Sequence, residues 1–279
     1  NMGFRINTDT RGAFSAHQIQ KSRQDLAGSL ERLSRGQRIN KASDDASGMT
    51  IANRLKSQAD ALFQAGRNAQ DAVSIAQVAD GALEQAVGLV QDIRTRAIQA
   101  TGPGQTLESR QAIQSEIDKS LEALNRIADT TSFNGQKLLS GSFTNKEFQI
   151  GAGSGETIDM SLGSVRPSDI AGRDTGTLAG VDVTHEQGTQ DAIAMADEAL
   201  AYLSGQRAEV GADQNRLEST INNLSSTRIN LLESESGIRD LDYAEESMNL
   251  NRIKLLARAR RFAQVQAGNV NKQIIDILE

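Results

Sequence analysis

The chain has no cysteine, no tryptophan and only two prolines, and 3% of its 279 residues are aromatic. Without cysteine there can be no disulfide, zinc–thiolate centre or thiol nucleophile, so the protein must be held by packing or by assembly. No stretch approaches 18 consecutive apolar residues, which excludes a transmembrane helix. The N-terminus lacks the apolar run of a Sec-type signal peptide. A surplus of positive charge is also missing, and a net charge of −6 argues against general nucleic-acid binding. Catalytic groups are sparse. His17 and His185 are the only histidines and lie far apart in sequence. The carboxylate pairs Asp44-Asp45 and Glu245-Glu246 both fall near expected helix starts, where negative charge meets the helix dipole. Gly151-Ala152-Gly153-Ser154-Gly155 lacks the Lys-Ser/Thr ending and the following helix of a phosphate loop. The reading is of a protein that is not an enzyme and that uses no metal and no cofactor.

What the chain does contain is heptads. With Pro103 and Pro167 as the only prolines, long helices are permitted almost everywhere. From Ala42 to Thr101 a column spaced four then three reads Gly48, Ala52, Leu55, Ala59, Leu62, Gly66, Ala69, Val73, Ala76, Asp80, Leu83, Val87, Val90, Arg94, Ala97. Only Asp80 and Arg94 are polar. This pattern predicts a helix packed lengthwise on other helices, roughly 80–90 Å long at 1.5 Å per residue. A second column runs through Ile193, Ala196, Leu200, Leu203, Arg207, Val210, Gln214, Leu217, Ile221 and Leu224 to Ile238, and predicts an antiparallel partner over 190–238. The candidate seam residues are Leu55, Leu62, Val73, Leu83, Val87, Val90, Leu203, Val210, Leu217 and Leu224.

Between these rods, Leu107–Asp129 reads as a helix with Ile113, Ile117, Leu121, Leu124 and Ala128 on one face. Residues 131–185 read as a small β element. Phe133-Asn134-Gly135 is a turn signal, and 148–150, 158–162 and 181–183 alternate as half-buried strands do. At the ends, Asn1–Asn40 begins extended around Phe4 and Ile6 and turns helical from Ala13, with a thin apolar stripe. Tyr243–Glu279 is a helix with apolar residues on more than one side. Together they predict paired termini that still leave apolar surface uncovered, hence intermolecular packing through Phe14, Leu26, Leu30, Leu33, Ile253, Leu256, Phe262, Val270, Ile274, Ile277 and Leu278. Residues 1–43 carry eight Lys/Arg against three Asp/Glu, and 236–279 seven against six; the ends are thus +6 and the middle −12, so the two meet different surroundings. Arg258, Arg260 and Arg261 fit either a solvated helix face or a charge layer at subunit contacts. The architecture expected is mainly α: a long antiparallel helical rod with a small β-hairpin element. Its terminal coiled-coil domain is 1–43 plus 236–279, and its rod domain is 44–235.

Phe4-Arg5-Ile6-Asn7-Thr8, the run LERLSRGQRIN at 30–40 with KASDDASGM at 41–49, TSFNGQKLLSG at 131–141, Gln214-Asn215-Arg216-Leu217 and SGIRDLDYAEES at 236–247 together resemble bacterial flagellin, in that family's order. The resemblance implies a structural subunit that polymerises, as many copies of itself, into the helical propeller of a swimming bacterium. It implies export without a signal peptide, a chaperone on the C-terminal helix before export, and hook-associated and cap proteins as further partners. About fifty residues separate Phe133 from the C-terminal rod, where larger flagellins carry outer domains, so a thin, smooth filament is expected. Many flagellins are sensed by a vertebrate Toll-like receptor; the corresponding segment here is 91–96. Asp92 stands where the family has arginine, Arg96 where it has leucine, and Glu116 keeps the carboxylate, which implies weak or no activation of that receptor. The competing readings are a surface protein that binds glycans and a hook–filament junction protein. Against the first, the only aromatic sugar platforms among Trp and Tyr would be Tyr202 and Tyr243, both in expected helices.

Overall fold

The helices start and stop where capping groups and glycine dictate. The computed structural model describes the backbone of residues 10–170 and 176–278, and the side chains of 13–170, 176–266 and 269. Helix α1 (Thr10–Arg35) ends at Gly36, whose φ of +67° favours a residue without Cβ. Helix α2 (Ala46–Ala100) begins at Asp45, whose carboxylate accepts the Gly48 N–H at 2.8 Å. Just before it, Asp44 accepts the N–H groups of Lys41 and Asn40, and these bonds hold its carboxyl below the usual range. Helix α3 (Leu107–Thr130) is capped by the Thr106 hydroxyl. Strands β1 (Ser132–Phe133) and β2 (Gln136–Lys137) form a hairpin on Asn134 and Gly135, both at positive φ as a two-residue type I′ turn requires. Strands β3 (Lys146–Gln149) and β4 (Thr157–Met160) pair antiparallel, joined by the glycine-rich segment. A 3-10 turn, Leu178–Gly180, precedes helices α4 (Glu186–Arg239) and α5 (Tyr243–Leu278). The expected extended segment around Phe4 and Ile6 lies outside the described residues.

The chain divides into two units, Asn1–Ser57 with Asn230–Glu279, and Gln58–Ile229. The sequence-based boundaries after 43 and 235 both fall within the first unit. The second unit has a continuous apolar core. Its helices contribute Ala72, Leu83, Val90, Ile93, Ile117, Leu124, Leu203 and Leu217, and its β element contributes Leu138, Leu139, Phe143, Met160, Leu162 and Val165. The face of α3 is Ile113, Ile117, Leu121, Leu124 and Ala128, all buried.

Ala52 and Ala59 are buried as expected, but from Gly66 onward the seam of α2 departs from the expected column at every second position. Ala69, Ala76, Leu83, Val90 and Ala97 are buried, but their seam partners are Ala65, Ala72, Ala79, Ala86 and Ile93, one residue before Gly66, Val73, Asp80, Val87 and Arg94. Val73 and Val87 are half-buried beside the core. In α4 the same shift places Ala192 and Ala199 inside, with Ile193 and Leu200 flanking. The two polar exceptions explain the shift. Asp80 accepts a hydrogen bond from Arg207 Nε at 2.8 Å, and Arg94 Nε donates to Asp197 at 2.5 Å. These residues bridge α2 and α4 along the rim of the seam, where half-exposed ion pairs contribute at most about 1 kcal/mol each.

One expected strand is absent. Residues 181–183 are not in a strand, although Val181 and Val183 are both buried as the alternation implied. Their ladder partner is a side chain: Gln114 of α3 donates to the Val181 carbonyl at 3.0 Å and accepts the Val183 N–H at 2.8 Å. A single amide thus satisfies two backbone groups that a sheet would otherwise pair. Leaving either buried and unpaired costs about 1–3 kcal/mol.

Candidate subunit-packing surface

Helices α1 and α5 pair side by side, but the side chains sealed between them are polar. Ser22, Ser29 and Glu246 are 3%, 0% and 8% exposed, while among the described residues the fully buried apolar side chains of the first unit are Ile39 and Ala52, in neither helix. Glu246 lies in the first turn of α5, as the sequence placed it, yet its carboxylate is turned into the seam and does not serve the helix end. It accepts from the Ser29 hydroxyl and from Arg32 Nη2 at 2.9 Å, with Asn249 at 3.4 Å. Burial pushes its carboxyl upward, but the hydrogen bonds from Arg32 and Ser29 and the Arg32 charge outweigh that and hold it below the usual carboxylate range. The cap of α5 is instead Asp242, which accepts the N–H groups of Ala244 and Glu245. A second polar node joins Arg260 to Ser22 and to the Gln18 carbonyl. At the other end the Tyr243 hydroxyl donates to the Leu33 carbonyl at 2.6 Å, and Arg38 N–H donates to the Arg239 carbonyl at 2.8 Å.

Small serines let the two helices approach, and their heptad spacing leaves the larger apolar residues elsewhere. Leu26, Leu33 and Ile253 are half-buried, on the faces that carry Ser22 and Ser29 in α1 and Glu246 in α5. They already serve the intrachain pair. Phe14, Leu30, Leu256 and Phe262 are exposed, Phe14 at 66% and Phe262 at 74%. The side chains of Val270, Ile274, Ile277 and Leu278 lie outside the described residues. On α5, three further exposed apolar residues were not among the sequence candidates for packing between copies: Met248, Leu255 and Val265. A signal for two of them was present, because Met248, Leu255 and Phe262 are spaced by seven and form a second seam on the side of α5 away from α1. Of the basic cluster, Arg260 faces α1, whereas Arg258 and Arg261 are exposed.

In the second unit, Leu62, Leu83, Val90, Leu203, Val210 and Leu217 are buried, and Val73, Val87 and Leu224 are half-buried. Leu55, in the first unit, is half-buried. Asp92 is exposed beside Arg126 along an open groove of 470 Å³ between α2 and α3. Arg96 and Glu116 form an ion pair at 2.9 Å, so the carboxylate is not free. Among the described residues no cluster of His, Asp or Glu could hold a metal ion, and no helix is long and apolar enough to cross a membrane.

Comparison with known proteins matches both ends of the chain. The bacterial flagellin N-terminal helical region matches residues 6–144, and the bacterial flagellin C-terminal helical region matches residues 193–278. Flagellin of Halalkalibacterium halodurans is 39% identical over 249 residues, 89% of this chain and 90% of its own length. Flagellin B of Helicobacter pylori is 53% identical over 170 residues, 61% of this chain; the aligned part is 33% of that protein, so the chain spans about a third of its length. A solved structure of a candidate flagellar hook-associated protein from Vibrio parahaemolyticus shares the fold, with a TM-score of 0.61 at 14% identity over 71% of this chain and all of that one. With its two terminal helical regions matched in order and a full-length relative at this identity, the chain belongs to the bacterial flagellin family.

Proposed function

We propose that this chain is a filament subunit of the bacterial flagellum, polymerising through the outward faces of α1 and α5 as a structural protein without catalytic chemistry. The observation that carries the reading is the apolar row Met248, Leu255 and Phe262, exposed on a helix whose opposite side is already paired. A lone soluble chain gains nothing from such a row, whereas neighbouring copies would gain about 1.5–3 kcal/mol for each large side chain fully buried. The place of action is then outside the cell. A cytoplasmic chaperone would shield the same face of α5 before export, and hook-associated and cap proteins would meet the two ends of the polymer. The glycan-binding alternative finds little support: the Tyr243 hydroxyl is spent on the Leu33 carbonyl, and Tyr202, 37% exposed on α4, stands against Gly163. The hook-junction alternative rests on fold alone. Purified protein added to sheared filament seeds should elongate them into thin, smooth filaments visible by electron microscopy; protein that stays monomeric on competent seeds would sink the proposal.

The receptor reading extends this. A receptor seeking Arg at 92 and Leu at 96 meets Asp92 and an Arg96 already bound to Glu116. In a reporter-cell assay the monomer should stimulate the Toll-like receptor at least about a hundredfold less than a strongly activating flagellin. Asp92→Arg with Arg96→Leu should restore part of the signal. Parity of the unaltered chain would refute it.

A further inference from the structure

The second unit holds a small notch that the fold leaves unexplained. It lies between α2 and α4, with a volume of 190 Å³, and is lined by Phe63, Gly66, Arg67, Leu224, Ser225 and Arg228 among others. Gly66 opens it: a Cβ there would meet nothing within 4 Å. The Arg228 guanidinium stacks over the Phe63 ring, 4.7 Å from its centroid, and the ring remains half exposed. The ring contact holds the guanidinium against α2, and Arg228 Nε is sealed from solvent with no hydrogen-bond partner. Among the described residues neither Arg228 nor Arg67 forms an ion pair with a carboxylate. Two permanently charged guanidinium groups lining one notch without a carboxylate partner are complementary to a planar anion.

We propose that this notch receives a carboxylate side chain from a second copy of the chain. The charge distribution selects that occupant. Residues 58–229 carry 23 Asp/Glu against 13 Lys/Arg, a net −10. Copies of such a unit repel one another unless basic receptors sit at their contacts, and every neighbouring copy brings surplus carboxylates to the notch. The notch and the acid that fills it are different patches, so the contact can be made head to tail and repeated from copy to copy, as an open filament requires. The inference rests on the filament reading above and names a contact within it.

The test is seeded elongation, with the critical concentration read by sedimentation. Arg67→Glu should raise it several-fold, and Arg67→Glu with Arg228→Glu about tenfold or more, while Arg67→Glu leaves the thermal unfolding of the free chain unchanged. A second measurement does not depend on destabilisation. Ser225→Cys supplies the sole thiol of the chain, and a short photo-crosslinker attached there should join, in filaments of mixed isotope labelling, to an acidic peptide within 58–229 of another copy. Unchanged critical concentrations, or crosslinks confined to the same chain or to a different protein, overturn the notch contact and leave the filament reading standing. Unaltered chain that fails to elongate seeds overturns both.

Discussion

Leu255→Asp combined with Phe262→Asp yields a folded chain that no longer elongates filaments. The two side chains are 65% and 74% exposed and lie one heptad apart on the side of α5 away from α1. Neither contributes to the Ser22, Ser29 and Glu246 seam, so the helix pair loses no buried contact. The second unit, with its own apolar core, is untouched. In a polymer the balance is different. Covering a leucine and a phenylalanine contributes about 3–6 kcal/mol per subunit, and aspartates in their place oppose burial by a further few kcal/mol. Each 1.4 kcal/mol is a factor of ten in an equilibrium constant, so the critical concentration should rise by about a thousandfold or more, which amounts to no assembly at workable concentrations. Sedimentation after seeding reads this directly, and circular dichroism of the monomer should match the unaltered protein. A double variant that elongates at the ordinary concentration would show that this face is not a subunit contact.

The same row shows what the sequence could and could not disclose. Element order, the face of α3 and the pairing of the termini follow from periodicity, glycine and capping residues. The phase of the long seam did not, because hydrophobicity favours Val73 and Val87 over Ala72 and Ala86 as core residues. Closely packed helices reverse that preference: the narrow seam takes alanine, and valine fits the wider flank. Asp80 and Arg94, the two polar residues in the expected column, marked it as a flank, since each finds its partner on α4. The strand assigned to 181–183 fails for a related reason. Alternation records which side chains are buried but not what satisfies the backbone, and here Gln114 does so. Glu246 was read from its position in the chain as a helix-start carboxylate; its role as a buried acceptor depends on Ser29 and Arg32, more than two hundred residues away. The notch at Gly66 is likewise a product of two helices and has no signature in either alone.

Glu246 also sets the acid limit of the α1–α5 pair. Removing its carboxylate by Glu246→Ala leaves the Ser29 hydroxyl sealed without its acceptor. Arg32 loses its partner too, but its side chain is 29% exposed and can turn to water. The cost should therefore be about 2 kcal/mol, below the range for fully buried ion pairs. In a helix pair whose seam is otherwise serine, Arg260 and half-buried leucine and isoleucine, that is enough to loosen the pair, and amide hydrogen exchange in α1 and α5 should quicken by about thirtyfold while the second unit keeps its protection. The pH dependence follows from linkage. The folded carboxyl is held below its ordinary value of 4.5, so its stabilisation is fully present above that pH and is lost as the pH falls through the lowered value. Glu31 and Asp44 in the same unit are shifted in the same direction, by the Lys41 side chain and by backbone N–H groups, so acid weakens the unit at several points. Glu246→Gln isolates one of them. It should be less protected than the unaltered chain at pH 7, with the difference shrinking as the pH is taken below 4.5. A difference that is the same at pH 7 and at the acid end would mean that the Glu246 charge contributes nothing to holding the two helices together.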